Sequence, residues 1–416
     1  MKKCIGIFLA IVLCLSSSGC KGENPQPKKE TLTVCVEEEL FDYTRDLLDL
    51  WEMLNEGVQG KLEVIPQDTD TAEIKASNIR TELMSGEGPD VFLLSTGAAR
   101  ANMPDLFQNP EKLMYTDTFL PLDDFLETAE YARPEKFNQK ILEAGRTEEG
   151  QMILPLTYTY RKYAFRKTDL EGLQEIPHSW EELRTCENPV LQEAVFHYTH
   201  CMYPLFGKLA DYKEGKLLFT EEELQTMLKE VCTYTEWNEY RENRPEDLSI
   251  QGLFDFYPNL AASQDEKILA GIPNKDGGIT AEVGTYIAVN RNTKIPDEAF
   301  SFLDLLFRDE ILFGPGIKVG TKWGGNRFQH WFSYTDHLIL NQELAKRYPD
   351  LSEADLTALS ELDKQINAVS FYSDLEKELE DLYWPYFQSY HAKEDETKRL
   401  EMVSKAYETM EMNVLE

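Results

Sequence analysis

Residues 79–95 place a helix end, a tight turn and a buried strand in immediate succession, and this order restricts the folds open to the chain. Ala76, Ile79 and Leu83 recur at i, i+3 and i+7, one face of a helix. Gly86 and Gly88 permit the left-handed backbone that closes a helix, and Pro89 cannot continue one. Val91 to Leu94 is an apolar run without polar alternation, the pattern of a strand buried on both faces. Ser95, Thr96 and Gly97 then stand at the carboxyl end of that strand, where open α/β sheets bind their ligands. Ser95 and Thr96 are therefore candidate ligand contacts, while Asp90 reads as a turn residue.

The preceding segments extend the pattern. Leu32 to Val36 reads as a strand, and Leu40 to Glu56 carries Leu40, Thr44, Leu47, Leu48, Trp51 and Leu54 on one helical face. Leu62 to Ile65 is a second strand, so the run is β-α-β-α-β, which right-handed crossovers turn into a parallel sheet. Glu38 and Glu39 follow the first strand and are candidate ligand contacts at the same sheet end. A chain of 416 residues exceeds the usual single core, so two lobes are expected.

The net charge of -33 argues against nucleic acid, whose phosphates demand a basic face. Lys2-Lys3, the apolar run Ile5 to Leu15 and Ser16-Ser-Ser-Gly-Cys20 read as a secretion signal whose end resembles a bacterial lipobox, with Ser17 where Leu is commoner. Cys20 would then carry lipid, anchoring the chain without crossing the membrane. Residues 21–30 read as a tether that reaches roughly 15 to 20 Å on average. Of the other cysteines, Cys35 reads as a small buried residue, and a disulfide among Cys186, Cys201 and Cys232 stays open.

The helix, Ser85-Gly-Glu-Gly-Pro-Asp90 and the apolar strand resemble the first-lobe signature of family-1 extracellular solute-binding proteins, the receptors of ABC importers. Phe119-Leu-Pro-Leu-Asp123 resembles a Leu-x-Pro-Leu-Asp segment of that family. Ile153-Leu-Pro-Leu156, Tyr163-Ala-Phe-Arg-Lys167 and Pro177-His-Ser-Trp-Glu-Glu-Leu183 follow the family order, with Arg166 replacing the usual Asn. Ser179 and Glu182 form a capping box, which gives Trp180 a packing role. The pattern returns at Ile268 to Pro273, at Thr285 to Val289 and at the helix opened by Pro296, and 396–412 resembles the closing helix.

Catalytic motifs are absent: the sequence has no Gly-x-Ser-x-Gly, no His-Glu-x-x-His and no phosphate loop. His197 and His200 share a helical face without an evident third metal ligand. Sugar rings pack their C–H faces on aromatic rings, while their hydroxyls need polar partners. Tyr158 and Tyr160 at one predicted crossover, Tyr286 at another and Trp323 in a Gly-rich loop are the aromatic candidates, Trp323 foremost. Trp237 and Trp331 are placed only in weakly patterned segments.

What the resemblance implies is an α/β, two-lobed periplasmic-binding-protein-like (type II) fold with a hinge and an interlobe ligand cleft. The expected partition is 1–19 signal peptide, 20–30 lipidated Cys and tether, 31–156 plus 284–325 first lobe, and 157–283 plus 326–416 second lobe. The implied function is a monomeric, non-enzymatic substrate-binding lipoprotein without metal or cofactor, on the extracytoplasmic face of the cell membrane. It would carry a solute, foremost a carbohydrate or oligosaccharide, to ABC permease subunits. A surface glycan-acting enzyme and a solute sensor or adhesion protein on the same fold are the alternatives.

Overall fold

The computed structural model describes residues 30–55, 57–96, 105–173, 175–188, 190–191, 202–235, 267–312, 317–319, 322–324, 338–340 and 352–415. The expected signal peptide, Cys20, the tether up to residue 29, Gly97, His197, His200, Cys201, Trp237 and Trp331 lie outside these residues. Among the described residues Cys186 and Cys232 are not joined to each other by a disulfide, and a bridge to Cys201 falls outside them.

The longer elements, in chain order, are β1 (Glu30–Glu37), α1 (Phe41–Leu54), β2 (Val58–Ile65), α2 (Thr69–Met84), β3 (Val91–Ser95), β4 (Ile153–Tyr160) and β5 (Lys162–Arg166). They continue as α3 (Glu221–Thr235), β6 (Lys267–Gly271), β7 (Ile279–Val289), α4 (Pro296–Leu305), β8 (Leu338–Ile339), α5 (Glu353–Gln365), β9 (Ile366–Ser370), α6 (Asp374–His391) and α7 (Glu396–Leu415). Seven strands make one sheet in the order β8-β4-β7-β3-β1-β2, with β9 pairing the first part of β7. β1 is parallel to β2 and β3, and β7 is antiparallel to both β3 and β4.

Alternation along β1 explains why this sheet is covered on both sides. Leu32, Val34 and Val36 enter one apolar cluster with α1 and α4, whereas Cys35 enters another with Ala72, Ala76 and Ile79 of α2. Trp51 ties α1 to α4: its Nε1 donates to Ser301 Oγ at 2.7 Å and its ring meets Phe302 edge-on at 6.3 Å. Burying side chains of this size contributes about 1.5–3 kcal/mol each. The buried Asp304 carboxylate at the end of α4 accepts the backbone N–H groups of Glu130, Tyr131 and Ala132 at 3.0, 3.0 and 2.6 Å. A charge away from water needs such partners.

A third apolar cluster lies apart from the first sheet. It gathers Phe165, Trp180, Leu205, Phe206, Leu224, Leu228, Leu379 and Met410, from segments between residues 165 and 272 and from α6 and α7. Among the described residues the chain passes between this cluster and the sheet three times: from Tyr160 into β5, from Ile272 into β7, and from Phe371 to Tyr372. Two strands from the segment expected in the second lobe, β8 and β9, hydrogen-bond into the first sheet, as do the first residues of β7. Local pattern identifies a strand but not its sheet, because pairing partners are remote in sequence.

The Ser85 to Asp90 turn is a latch. Gly86 and Gly88 have φ of 80° and 97°, the left-handed conformation that favours glycine. Asp90 accepts the Thr33 N–H at 2.8 Å through Oδ2 and the Thr293 hydroxyl at 2.6 Å through Oδ1. Asn290 Nδ2 donates to the carbonyls of Glu87 and Pro89 at 3.1 and 2.9 Å. The turn thus joins β1, β3 and the end of β7, and Asp90 is the turn residue expected. The substitution Asp90→Ala strands two donors and is expected to destabilise the fold by about 1–3 kcal/mol, measured by denaturant unfolding; a loss within error of zero would remove the latch.

Candidate functional site

The carboxyl ends of β1 and β3 lie beside the crossovers, and the chemistry there starts with consecutive glutamates. Glu37, the last residue of β1, is 4% exposed, and its Oε2 accepts the Ser95 N–H at 3.0 Å. That carboxylate takes over where the β3 ladder ends. Glu38 and Glu39 are exposed; Glu38 Oε2 accepts the Gln67 N–H at 2.8 Å, and Gln67 Nε2 lies 3.5 Å from Glu39 Oε1. The three acids therefore divide: one closes the sheet and two stand at its rim.

Thr96 is buried and its hydroxyl donates to the Phe371 carbonyl, which ties the end of β3 to the third crossover. Ser95 is half-buried, yet its Oγ is covered and has no hydrogen-bond partner. In register beside it on β7 is Thr285, and beside Thr285 on β4 is Thr157. Both of their hydroxyl oxygens are also buried and unpartnered. Three unmet hydroxyls on adjacent strands, each costing about 1–3 kcal/mol when left without a partner, call for polar company. β7 is bulged at this level, where its pairing with β4 shifts register around Thr285.

The tyrosines correct the expectation made for them. Tyr158, Tyr160 and Tyr286 are 1%, 4% and 2% exposed, core residues rather than rings open to a ligand. Tyr158 donates to Asp363 Oδ2 at 2.9 Å and accepts from Asn138 Nδ2 at 3.2 Å; the Tyr160 hydroxyl lies 3.5 Å from the Leu359 carbonyl. Tyr286 meets Phe371 edge-on at 6.0 Å. An aromatic ring at a crossover has the most apolar surface to cover, and the packed sheet faces cover it. Trp323 lies in the strand Lys322–Gly324 of a two-stranded hairpin with Ile317–Val319, which sits against α1, rather than in a loop. The hairpin and Glu38 thus adjoin the same helix, whereas Tyr158 and Tyr160 are brought into a core.

Sequence reasoning missed the polar groups of the crossovers. Tyr203 donates its hydroxyl to the Glu282 carboxylate, Tyr372 donates to Glu380 Oε2 at 2.6 Å, and the two rings meet edge-on at 5.3 Å. Tyr372 has φ of 48°, a left-handed backbone that a bulky residue adopts only under constraint. Burial, reinforced by the hydrogen bond to Glu380, holds its hydroxyl well above the usual tyrosine range. No local pattern announces such residues, because their partners are brought up by the tertiary fold. Trp180 packs as expected: it is 3% exposed, with Nε1 donating to Glu230 Oε2 at 3.0 Å. In its capping turn Ser179 accepts the Glu182 N–H, while the Glu182 carboxylate accepts the His178 N–H.

Among the described residues, cavities border the contact between the lobes. One of 600 Å³ is lined by Glu111, Gln139, Lys140, Lys208 and Asn367, among others; one of 450 Å³ has Arg80, Asn109, Lys112, Asn290 and Asp374 in its wall. Neither includes a residue expected to touch a ligand. Among the described residues no helix is long and apolar enough to cross a membrane.

No protein-family model and no curated protein matches the sequence. Solved structures do match. An extracellular solute-binding protein of family 1 from Alicyclobacillus acidocaldarius superposes with a TM-score of 0.55 at 14% identity, covering 93% of this chain and 98% of that one. The chain has the two-lobed type II fold of the solute-binding proteins. The sugar-binding protein MalE from Xanthomonas citri matches with a TM-score of 0.53 at 11% identity, over 92% of this chain and 97% of that one. A periplasmic oligogalacturonide binding protein from Yersinia enterocolitica matches with a TM-score of 0.52 at 14% identity, over 92% and 98%. De novo designed esterases also match, so the fold alone does not decide between binding and catalysis.

Burial raises the Asp363 carboxyl above the usual aspartate range, against the opposing hydrogen bonds from Tyr158 and Tyr160. A raised carboxyl favours the folded state while protonated and loses that contribution as pH rises through its folded value. Asp363→Asn, which keeps an acceptor for Tyr158, is therefore expected to match the native melting temperature at about pH 3–4 and to exceed it increasingly above that range; a pH-independent difference would remove this assignment.

Proposed function

We propose that this protein is the substrate-binding lipoprotein of an ABC importer. It captures an extracellular carbohydrate or oligosaccharide by hinge closure and delivers it to a permease. The observation that carries the reading is architectural: two separately packed bodies joined, among the described residues, by three short crossovers. Such bodies rotate about a few backbone torsions, and a ligand bound between them shifts the balance toward the closed state. The names of proteins with this fold, among them a sugar-binding protein and an oligogalacturonide binding protein, support a saccharide.

Within this reading Glu38 and Glu39, exposed at the rim of the sheet, accept hydrogen bonds from ligand hydroxyls, while the covered Ser95 hydroxyl stays within the sheet end. Trp323 supplies the ring on which a sugar packs. Thr96, Tyr158, Tyr160 and Tyr286 hold the crossovers in place. Cys20, once lipidated, keeps the body at the membrane.

A thermal-shift screen of mono- and oligosaccharides, peptides and polyamines tests the ligand class. A solute binding only the folded state at 100 times its Kd stabilises by about 2.7 kcal/mol, so one oligosaccharide series is expected to raise the melting temperature. A response confined to peptides or polyamines would overturn the carbohydrate assignment. Against a responding sugar, Trp323→Ala is expected to weaken binding about tenfold or more while leaving the ligand-free melting temperature unchanged; a large stability loss would place Trp323 in the core. Cys20→Ala is expected to move the protein from the membrane to the soluble fraction, and retention in the membrane would remove the lipid anchor.

A further inference from the structure

The contact between the lobes carries a consistent arrangement of charge. Lys208 Nζ lies 2.7 Å from Glu111 Oε1, Lys213 pairs with Glu148, and Lys377 pairs with Asp105. In all three the acid belongs to segments packed on the seven-stranded sheet and the lysine to the second body. Lys112 adds a bond in the other sense, donating to the Asn413 carbonyl at 2.8 Å. Asn109 Nδ2 lies 3.4 Å from Asp374 Oδ1, and the Asp374 N–H donates to the Gln108 carbonyl at 3.2 Å.

Sheet direction locates the Lys213–Glu148 pair relative to the carboxyl ends where the candidate contacts lie. β3 and β4 are both antiparallel to β7 and so run the same way. Glu148 lies in the hairpin just before β4, and its neighbour Glu149 pairs with Arg291 beyond the end of β7 at 3.0 Å. Glu148 therefore marks the amino ends of β3 and β4. Glu38, Ser95 and the crossover after Tyr160 mark the carboxyl ends. The second body is attached at the carboxyl ends, yet through Lys213 it reaches back to the amino ends. A rotation about the crossovers that carries it over the carboxyl ends draws Lys213 away from Glu148.

We propose that the Lys208–Glu111, Lys213–Glu148 and Lys377–Asp105 pairs brake lobe closure, so that salt or neutralisation of either side shifts the protein toward its closed form. The consequence for affinity rests on the solute-capture reading; the shape change does not. Such pairs are individually weak and screened by salt, so the brake is graded by ionic strength.

Small-angle X-ray scattering on the ligand-free protein tests this. Two triple variants are compared with the native chain, one of the lysines (K208Q, K213Q, K377Q) and one of the acids (D105N, E111Q, E148Q). Both are expected to reduce the radius of gyration and to flatten its response to sodium chloride. Shifts of opposite sign would show that net charge alone acts, and unchanged radii would equally overturn the brake. Single K213Q, at a half-exposed position, is expected to give a smaller shift in the same direction and serves if a triple variant unfolds; no shift in it would overturn the contribution of the Lys213 pair. With a solute in hand, both triple variants are expected to bind about 3- to 10-fold tighter. Failure to find a solute would count against the capture reading and leave the scattering result intact.

Discussion

The hydrogen-bond ladder of β7 is the constraint on which the rest depends. Its later residues pair with β3 on one side and β4 on the other, while its first residues pair with β9. A strand bonded on both edges cannot leave without exposing two rows of backbone donors and acceptors. The chain enters β7 from the second body and leaves it inside the first. One strand thus anchors the first sheet and forms part of the hinge, and the bulge around Thr285 marks where the two duties meet.

Polar groups within this frame fall into two kinds. Asp90, Asp304 and Glu37 are carboxylates whose oxygens accept backbone N–H groups, so their charge is spent on the fold. Ser95, Thr157 and Thr285 hold covered hydroxyls without partners in one register across three strands. The first kind fastens turns and strand ends. The second leaves hydrogen-bonding capacity unused inside the sheet, beside the bulge of β7.

Much of the first body was legible in the sequence because its signals are local. The spacing of Ala76, Ile79 and Leu83, the glycines at 86 and 88 and the apolar run at Val91 name a helix, a stop and a strand without reference to any distant residue. The same holds for Ser179 beside Trp180, for Pro296 opening α4 and for the last helix. Of the candidate contacts, the places of Glu38, Glu39 and Ser95 at strand ends were legible, because strand ends are local. The tyrosines were misread because a ring at a crossover has the same sequence signature whether it faces a cleft or a core.

The sequence by itself determined the helices and strands of the first βαβαβ run, the helix opened by Pro296 and the last helix, since period and turn chemistry are properties of neighbouring residues. Only the tertiary structure decided that β8 and β9 join the first sheet, that Tyr158 spends its hydroxyl on Asp363, and that lysines of one body meet acids of the other. Those outcomes depend on pairs separated by scores to hundreds of residues. No local pattern encodes such pairs; they are selected by the burial and hydrogen bonding available once the chain has folded.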